Sequence, residues 1–297
     1  MIKVAIQLES YVMRSIRLFA PAKINLFLRV LGKRPDGYHN IETLFQEIDL
    51  RDELILKEGT HETSLEVPGH PELETDDNLV MKALRWLEKE TGRRLHVDIT
   101  LIKRIPSAAG LGGGSSDAAA ALVGLTTLFR LDLREDGLIR AARSLGADVP
   151  FFLKGGTAVG EGIGERLTPV SFPLHYEVLL IHPGFQVSTA TVFREFSRIL
   201  TDGTREARLW RILAENRDVR DLLHNDLQPV AERLYPEISE MSEAMVAAGW
   251  QAGLMTGSGP TVFGLAQPDE MWRLRTDLGS RWTKIVARPS NRGIVMN

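Results

Sequence analysis

The chain contains no cysteine. This excludes a disulfide framework, a thiolate zinc site, an iron–sulfur cluster and a cysteine nucleophile. No run of roughly 18 or more apolar residues occurs, so the sequence predicts no membrane-spanning helix. The 36 basic and 39 acidic side chains leave a formal net charge of -3, which provides no strongly basic field to attract nucleic acid. The N-terminal stretch lacks a continuous signal-peptide core. We therefore expect a cytoplasmic protein with neither a membrane nor a nucleic-acid partner.

What the sequence contains is typical of a globular protein, at 43% hydrophobic and 25% charged residues. At roughly 150 residues per domain, 297 residues predict two domains. Strand-like segments fill the first third, helices follow, and a new α/β segment begins beyond about residue 165. This order favours an α+β fold over a repeating βαβ fold. The helices and strands that the patterns predict most clearly are a helix over 78–92, a strand over 95–103, and helices over about 115–129 and 134–145.

The densest local signal is the stretch PSAAGLGGGSSD at 106–117, which a strand precedes and an Ala/Leu-rich helix follows. Its glycines permit positive φ angles and a close approach of the backbone to a ligand. The N-terminus of the following helix adds unsatisfied N–H donors and a partial positive charge, and both favour phosphate. Ser115 and Ser116 can cap that helix or donate to phosphate oxygens, while Asp117 suits its first turn. A flexible turn with a capped helix is the alternative.

Two standard nucleotide-binding motifs are absent from the sequence. The Walker A string G-x-x-x-x-G-K-[ST] does not occur, and the dinucleotide fingerprint would need a glycine three residues after Gly112, where Ser115 stands. Any phosphate site in this loop must therefore use a different nucleotide-binding motif.

Three further segments carry polar residues of uncertain role. PAKINL at 21–26 places Lys23 and Asn25 on one face of an apolar strand, where a lysine is usually just exposed. GADVPFF at 146–152 sets Asp148 between a helix and an apolar run, a common place for a turn or cap residue. MTGSGP at 255–260 predicts either a hairpin turn or a ligand contact.

Together these segments resemble the three motifs of the GHMP kinase superfamily, which map onto 21–26, 106–117 and 255–261. RPDGYHNIETLFQ, GADVPFF, HNDL and the GGGSS form of the central loop are similar to the branch that phosphorylates a cytidine diphosphate-linked polyol. They separate the chain from mevalonate, homoserine and galactose kinases. The resemblance implies a two-domain GHMP kinase fold with its active site in the cleft between an ATP-binding domain at 1–165 and an α/β substrate domain at 166–297. The first twelve residues have no counterpart, and we expect them to be dispensable for catalysis.

The resemblance also implies roles for individual positions. Lys23 and Asp148 are the expected catalytic pair, and Asn25 is expected near the reacting hydroxyl of the acceptor. ATP is the implied co-substrate with Mg²⁺, for which Ser116 is a candidate ligand. The expected phosphate cradle consists of Pro106, Ser107, Ala108, Ala109, Gly110, Leu111, Gly112, Gly113, Gly114, Ser115 and Ser116. The remaining acceptor-binding residues are expected to be Tyr38 and His39 at the cytosine, Phe193 as a second aromatic wall, and Thr189.

Overall fold

The computed structural model describes residues 14–59, 62–171, 175–199, 207–215, 218–270, 274, 278 and 280–296. The first twelve residues, which we expect to be dispensable, lie outside the described residues.

Two long antiparallel strands, β1 (Ser15–Lys33) and β2 (His39–Glu58), form the centre of an eight-stranded sheet. The other strands of this sheet are β3 (Ser64–Glu66), β4 (Val97–Ile102), β5 (Thr157–Gly162), β6 (Arg166–Pro169), β8 (His224–Asn225) and β12 (Val295–Met296). The strand order is β12-β1-β2-β4-β3, with β5 paired to β2 and β6, and β8 paired to β1. The register between β1 and β2 shifts at Pro21/Ala22 and again at Asn25/Phe27. Such bulges redirect side chains and are frequent beside active sites.

The alternating pattern of β1 predicts one apolar and one more polar face, yet both faces are buried. Ile24 and Leu26 are fully buried, and Asn25 and Phe27, which alternate with them in sequence, are only 2% and 3% exposed. Helices cover one side of the sheet, while the second half of the chain covers the other. β1 therefore runs through the middle of the molecule.

The helices on the first sheet are α1 (Leu79–Thr91), α2 (Gly113–Leu128), α3 (Glu135–Leu145) and α4 (Val149–Lys154), with a 3-10 turn at Pro71–Leu73. The sequence predicts the first three to within about two residues at each end. Asn78 caps α1 by accepting a hydrogen bond from the Val80 N–H, and Gly92 ends it at a φ of 65°. In α2, a Cβ on Gly124 would lie 2.6 Å from Leu56 Cδ1. This small residue lets α2 pack closely on the sheet.

A second, four-stranded antiparallel sheet has the order β11-β7-β10-β9. Its strands are β7 (Glu177–His182), β9 (Gln251–Met255), β10 (Val262–Ala266) and β11 (Thr283–Ala287). Around it lie α5 (Thr189–Ile199), α6 (Leu209–Glu215), α7 (Gln228–Leu234), α8 (Glu237–Ala247) and a 3-10 turn at Val219–Leu222. The predicted α+β class is confirmed. The domain boundary near residue 165 stays a prediction. Three strands that follow this position, β6, β8 and β12, join the first sheet.

Buried carboxylates on the first sheet hold segments from the second half of the chain. Glu42 accepts hydrogen bonds from the backbone N–H groups of Arg208 and Leu209 at 2.8 and 3.0 Å, at the start of α6. Glu47 accepts from the N–H groups of Gly156 and Gly293 at 2.8 and 3.0 Å. These bonds join β2 to the start of α6 and to the segments around Gly156 and Gly293.

Candidate active site

A cleft of about 1000 Å³ lies between the two halves of the chain. Eleven of the residues predicted for the site line it: Lys23, Asn25, Tyr38, His39, Ala108, Gly110, Gly112, Ser115, Asp148, Thr189 and Phe193. The rest of the predicted cradle does not line it: Pro106, Ser107, Ala109, Leu111, Gly113, Gly114 and Ser116.

The glycine-rich loop forms one wall of the cleft. Gly110 and Gly112 have φ angles of 76° and 73°, so the prediction of positive φ is confirmed at these two positions. Gly112 immediately precedes α2, and no side chain caps the helix there. The first N–H groups of α2 therefore have no side-chain cap, as an anion-binding helix terminus requires. The sequence predicts a start at about residue 115 and leaves Ser115 and Ser116 open as caps or as donors to phosphate. The helix starts at Gly113, directly after Gly112.

The buried residues of the loop explain why only part of it reaches the cleft. Ala109 and Leu111 are 2% and 1% exposed and belong to the apolar core, so only their backbone is available to a ligand. A Cβ on Gly112 would lie 2.7 Å from Phe152 Cζ and 3.1 Å from Lys23 Cγ. The loop is thus wedged between the core and the Lys23 side chain.

Lys23 and Asp148 meet in the cleft, as the resemblance implied. Their Nζ and Oδ2 atoms are 3.6 Å apart, with the lysine side chain 4% exposed and the aspartate side chain 32% exposed. Asp148 directly precedes α4, but its side chain makes no capping hydrogen bond. Burial lowers the pKa of Lys23, and Asp148 opposes this shift. The pair thus combines a buried lysine amine with a carboxylate that solvent or substrate can reach.

Asn25 orients the lysine through a network of buried hydrogen bonds. Lys23 Nζ donates to Asn25 Oδ1 at 2.6 Å, and Asn25 Nδ2 donates to Thr43 Oγ1 at 2.8 Å. The backbone N–H of Asn25 donates to Thr256 Oγ1 at 3.0 Å. Sequence reasoning missed Thr43 and did not single out Thr256 within its loop. A threonine on a strand carries no local signal for such a role.

The loop at 255–260 connects β9 and β10, so its hairpin prediction is confirmed, and it also lines the cleft with Gly257, Ser258 and Gly259. Asn225, from the HNDL string, donates to the carbonyl oxygens of Met255 and Gly257 at 2.6 and 2.9 Å. Asn225 therefore holds the loop against the site.

Tyr38 and His39, which also line the cleft, differ sharply in exposure. Tyr38 is 60% exposed at the rim, whereas His39 is 8% exposed. The His39 ring lies 5.1 Å from the Phe193 ring, tilted by 31°, and its Nε2 atom is 2.6 Å from Ser197 Oγ. Burial, followed by the positive charge of Lys33, lowers the pKa of His39. Sequence reasoning missed Ser197, which lies one helical turn after Phe193.

Thr189 lies in the cleft at the start of α5, and its hydroxyl is 2.7 Å from Ser258 Oγ. The contact joins α5 to the loop at 255–260.

A buried charge cluster behind the glycine-rich loop was not predicted. Lys103 Nζ donates to Asp52 Oδ2 at 2.5 Å and to Asp117 Oδ2 at 2.7 Å. Asp52 Oδ1 also accepts from the N–H groups of Arg104 and Ile105, at 2.5 and 2.9 Å. Burial raises the pKa of Asp117 to about 7, while Lys103 opposes the shift. The cluster ties the segment before the loop to the helix after it.

Among the described residues, no group of three or more His, Cys, Asp or Glu side chains is placed to hold a metal ion. Ser116 Oγ, in the first turn of α2, is fully buried and has no hydrogen-bond partner within the described part of the chain. None of the described helices has the length and apolar character that crossing a membrane requires.

Models of the N-terminal and C-terminal domains of GHMP kinases match residues 78–156 and 211–282. Together with the two-sheet fold and the glycine-rich loop before α2, these matches define the chain as a GHMP kinase. A 4-diphosphocytidyl-2-C-methyl-D-erythritol kinase from Pelotomaculum thermopropionicum is 44% identical, over 84% of this chain and 88% of the relative. A crystal structure of 4-(cytidine 5'-diphospho)-2C-methyl-D-erythritol kinase has a TM-score of 0.76 at 36% identity, covering 92% of this chain and 99% of that one. The chain belongs to the 4-diphosphocytidyl-2-C-methyl-D-erythritol kinase family.

The fold extends to more distant kinases. The crystal structure of homoserine kinase from Cytophaga hutchinsonii has a TM-score of 0.74 at 17% identity, covering 99% of this chain and 100% of that one. At this identity the likeness concerns the fold alone.

Proposed function

We propose that this chain transfers the γ-phosphoryl group of ATP to the 2-hydroxyl of 4-diphosphocytidyl-2-C-methyl-D-erythritol. The products are the 2-phosphate and ADP, in the non-mevalonate synthesis of isoprenoid precursors. The observation that carries this proposal is the Lys23–Asp148 pair, 3.6 Å apart, in the same cleft as the His39–Phe193 ring pair. The cleft thus offers both groups for phosphoryl transfer and an aromatic site for a base.

In this proposal, the ATP phosphates lie against the loop at 106–116 and the first turn of α2. The N–H groups of Gly113, Gly114 and Ser115 precede the first intrahelical bond, which runs from the Ser116 N–H to the Gly112 carbonyl oxygen at 2.9 Å. No group in the described part of the chain accepts a hydrogen bond from them, so they can donate to phosphate, and the helix terminus adds a partial positive charge. Phosphoryl transfer depends mainly on such positioning and electrostatic stabilisation.

Asp148 is the proposed proton acceptor. Its carboxylate takes the proton of the acceptor hydroxyl as the oxygen bonds to phosphorus, an effect typically worth about 10²–10⁴-fold in rate. Lys23 stabilises the negative charge on the transferred group. The 2.6 Å hydrogen bond to Asn25 Oδ1 keeps the lysine amine directed into the cleft.

Mg²⁺ is proposed to accompany ATP, where it would neutralise charge on the phosphate oxygens. Because Mg²⁺ on a nucleotide usually needs only one or two protein oxygens, the unpartnered Ser116 Oγ fits such a ligand. The remaining functional proposals are a cytoplasmic location and the lack of a nucleic-acid partner. The net charge of -3 supports the second.

The test is ADP release from ATP with and without the cytidine diphosphate-linked acceptor. We expect release only with that acceptor, and ³¹P NMR of the product should show a new phosphomonoester on C2. Mevalonate, homoserine and galactose serve as comparison acceptors. Faster turnover with any of these alcohols than with the cytidine-bearing acceptor would contradict the proposal.

A further inference from the structure

Hydrogen-bond geometry around Ser197 defines the state of the His39 ring. His39 Nε2 lies 2.6 Å from Ser197 Oγ, which in turn lies 2.9 Å from the carbonyl oxygen of Phe193. Within the described part of the chain, no group forms a hydrogen bond with His39 Nδ1. His39, Phe193 and Ser197 all line the cleft.

Only one placement of the protons makes both short contacts hydrogen bonds. A carbonyl oxygen only accepts, and a serine hydroxyl has a single proton. The Ser197 proton must therefore point to the Phe193 carbonyl oxygen. Ser197 Oγ is then left to accept, and the proton in the other contact must belong to His39 Nε2. The reverse placement would set two oxygen lone pairs against each other at 2.9 Å.

The ring carries one proton near neutral pH, because burial and Lys33 both lower the pKa of His39. If that proton is on Nε2, Nδ1 is unprotonated and can only accept a hydrogen bond. His39 would then offer the cytidine-linked substrate a ring nitrogen that only accepts hydrogen bonds.

We propose that Ser197 is a positioning residue that holds His39 in its Nε2–H tautomer, so that Nδ1 accepts a hydrogen bond from the amino group of cytosine. This inference rests on the proposed function. Cytosine has an amino donor on C4, whereas uracil has a carbonyl acceptor there, as thymine does. An unprotonated Nδ1 therefore attracts the first base and repels the second. Such complementarity excludes an analogue more effectively than apolar contacts do.

The kinetic test compares acceptors that carry cytidine diphosphate and uridine diphosphate on the same methylerythritol. Ser197→Ala should raise KM for the cytidine acceptor about 2- to 10-fold, the range expected for one neutral hydrogen bond, with kcat and the ATP KM close to wild type. It should also lower the preference for cytidine over uridine. Ser197→Thr, which retains a hydroxyl, should keep wild-type values.

The matched control is Ser144→Ala. Ser144 also bonds a helix carbonyl, that of Ala141 at 2.7 Å, but it lies on α3 away from the cleft. This variant should leave both acceptors unaffected. If Ser197→Ala, correctly folded by circular dichroism, keeps the wild-type preference between the two bases, Ser197 does not set specificity.

The tautomer is measured independently of turnover. ¹⁵N NMR of the imidazole-labelled protein should show the proton of His39 on Nε2 in wild type and Ser197→Thr, and on both nitrogens in exchange in Ser197→Ala. A wild-type protein with the proton on Nδ1 overturns the inference, whatever the kinetics. Failure of the proposed function is separate: it would appear as a lack of ADP release with either acceptor.

Discussion

Substitution of Asp148 by asparagine directly tests the proposed catalytic pair of Lys23 and Asp148. The change removes a negative charge 3.6 Å from Lys23 Nζ but keeps the size of the side chain. Lys23, with a side chain only 4% exposed, would then lose its charged partner and keep the hydrogen bond to the neutral Asn25 oxygen, 2.6 Å away. Because burial already lowers the pKa of Lys23 and Asp148 opposes the shift, that pKa should fall further.

Two effects determine the magnitude. Loss of a general base should reduce kcat about 10²–10⁴-fold, which corresponds to about 2.7–5.5 kcal/mol of transition-state stabilisation. The attraction between the paired charges is about 5 kcal/mol at an effective dielectric constant of about 20, before the cost of desolvation. Solvent on the aspartate, 32% exposed, reduces that second contribution. The loss in kcat should therefore be dominated by the missing base.

The assay is ADP release at saturating ATP and acceptor, together with ATP affinity measured by titration calorimetry. ATP binding should change little, because the proposed phosphate contacts come from the loop at 106–116 and α2. Asp132→Asn is the matched control, since Asp132 is exposed and outside the cleft. An Asp148→Asn variant that keeps more than half of the wild-type kcat would remove Asp148 from the mechanism.

Three further predictions concern the loop, the rim and the buried cluster. Gly112→Val should raise the ATP KM sharply in a folded protein, because Gly112 has a φ of 73° and a Cβ there would lie 2.7 Å from Phe152 Cζ; Gly114→Ala, whose Cβ would meet its nearest atom at 3.7 Å, should not. Tyr38→Ala should raise KM for the cytidine-linked acceptor about 10- to 100-fold with the ATP KM unchanged, since a base stacked on this ring would lose roughly 1–3 kcal/mol; equal loss of ATP affinity would contradict this. The pKa of Asp117, raised by burial to about 7, means that the folded state binds a proton that the unfolded state has released, so this residue destabilises the fold increasingly as pH rises from about 4 to about 7. Urea unfolding should show Asp117→Asn gaining stability relative to wild type over that range, and parallel pH profiles would refute the shift.

Local patterns in the sequence predicted α1, α2 and α3 to within about two residues, and the glycine-rich loop before α2, but not the short helix α4 after Asp148. The positive φ angles at Gly110 and Gly112 follow from a glycine-rich string before an Ala-rich helix. The meeting of Lys23 and Asp148 has no local signal, because residues so distant in sequence are brought together only by the folded chain. That pairing was expected from the family resemblance alone, and the short distance between the two side chains agrees with it.

Buried polar networks were the part that sequence reasoning could not supply. Asp117 suits the first turn of any helix, yet it is 2% exposed and bonded to Lys103 from the preceding strand segment. Asn225 could be recognised in HNDL as part of a motif, but not as the donor that holds Met255 and Gly257. Such roles depend on which segments fold against each other. The residue type at one position does not show which distant segment will pack against it.

The requirement for glycine at position 110 shows how the two halves of the chain form one site. Phosphate binding alone would explain a glycine there, since it allows the backbone to approach a ligand. The structure adds a second reason: a Cβ on Gly110 would collide with the carbonyl oxygen of Thr256, and Thr256 Oγ1 lies 3.4 Å from the Gly110 carbonyl oxygen. The same hydroxyl accepts a hydrogen bond from the backbone of Asn25. The β9–β10 loop therefore packs directly on both the loop at 106–116 and the strand that carries Lys23. The spacing between Lys23 and the glycine-rich loop thus depends on a segment near the opposite end of the chain.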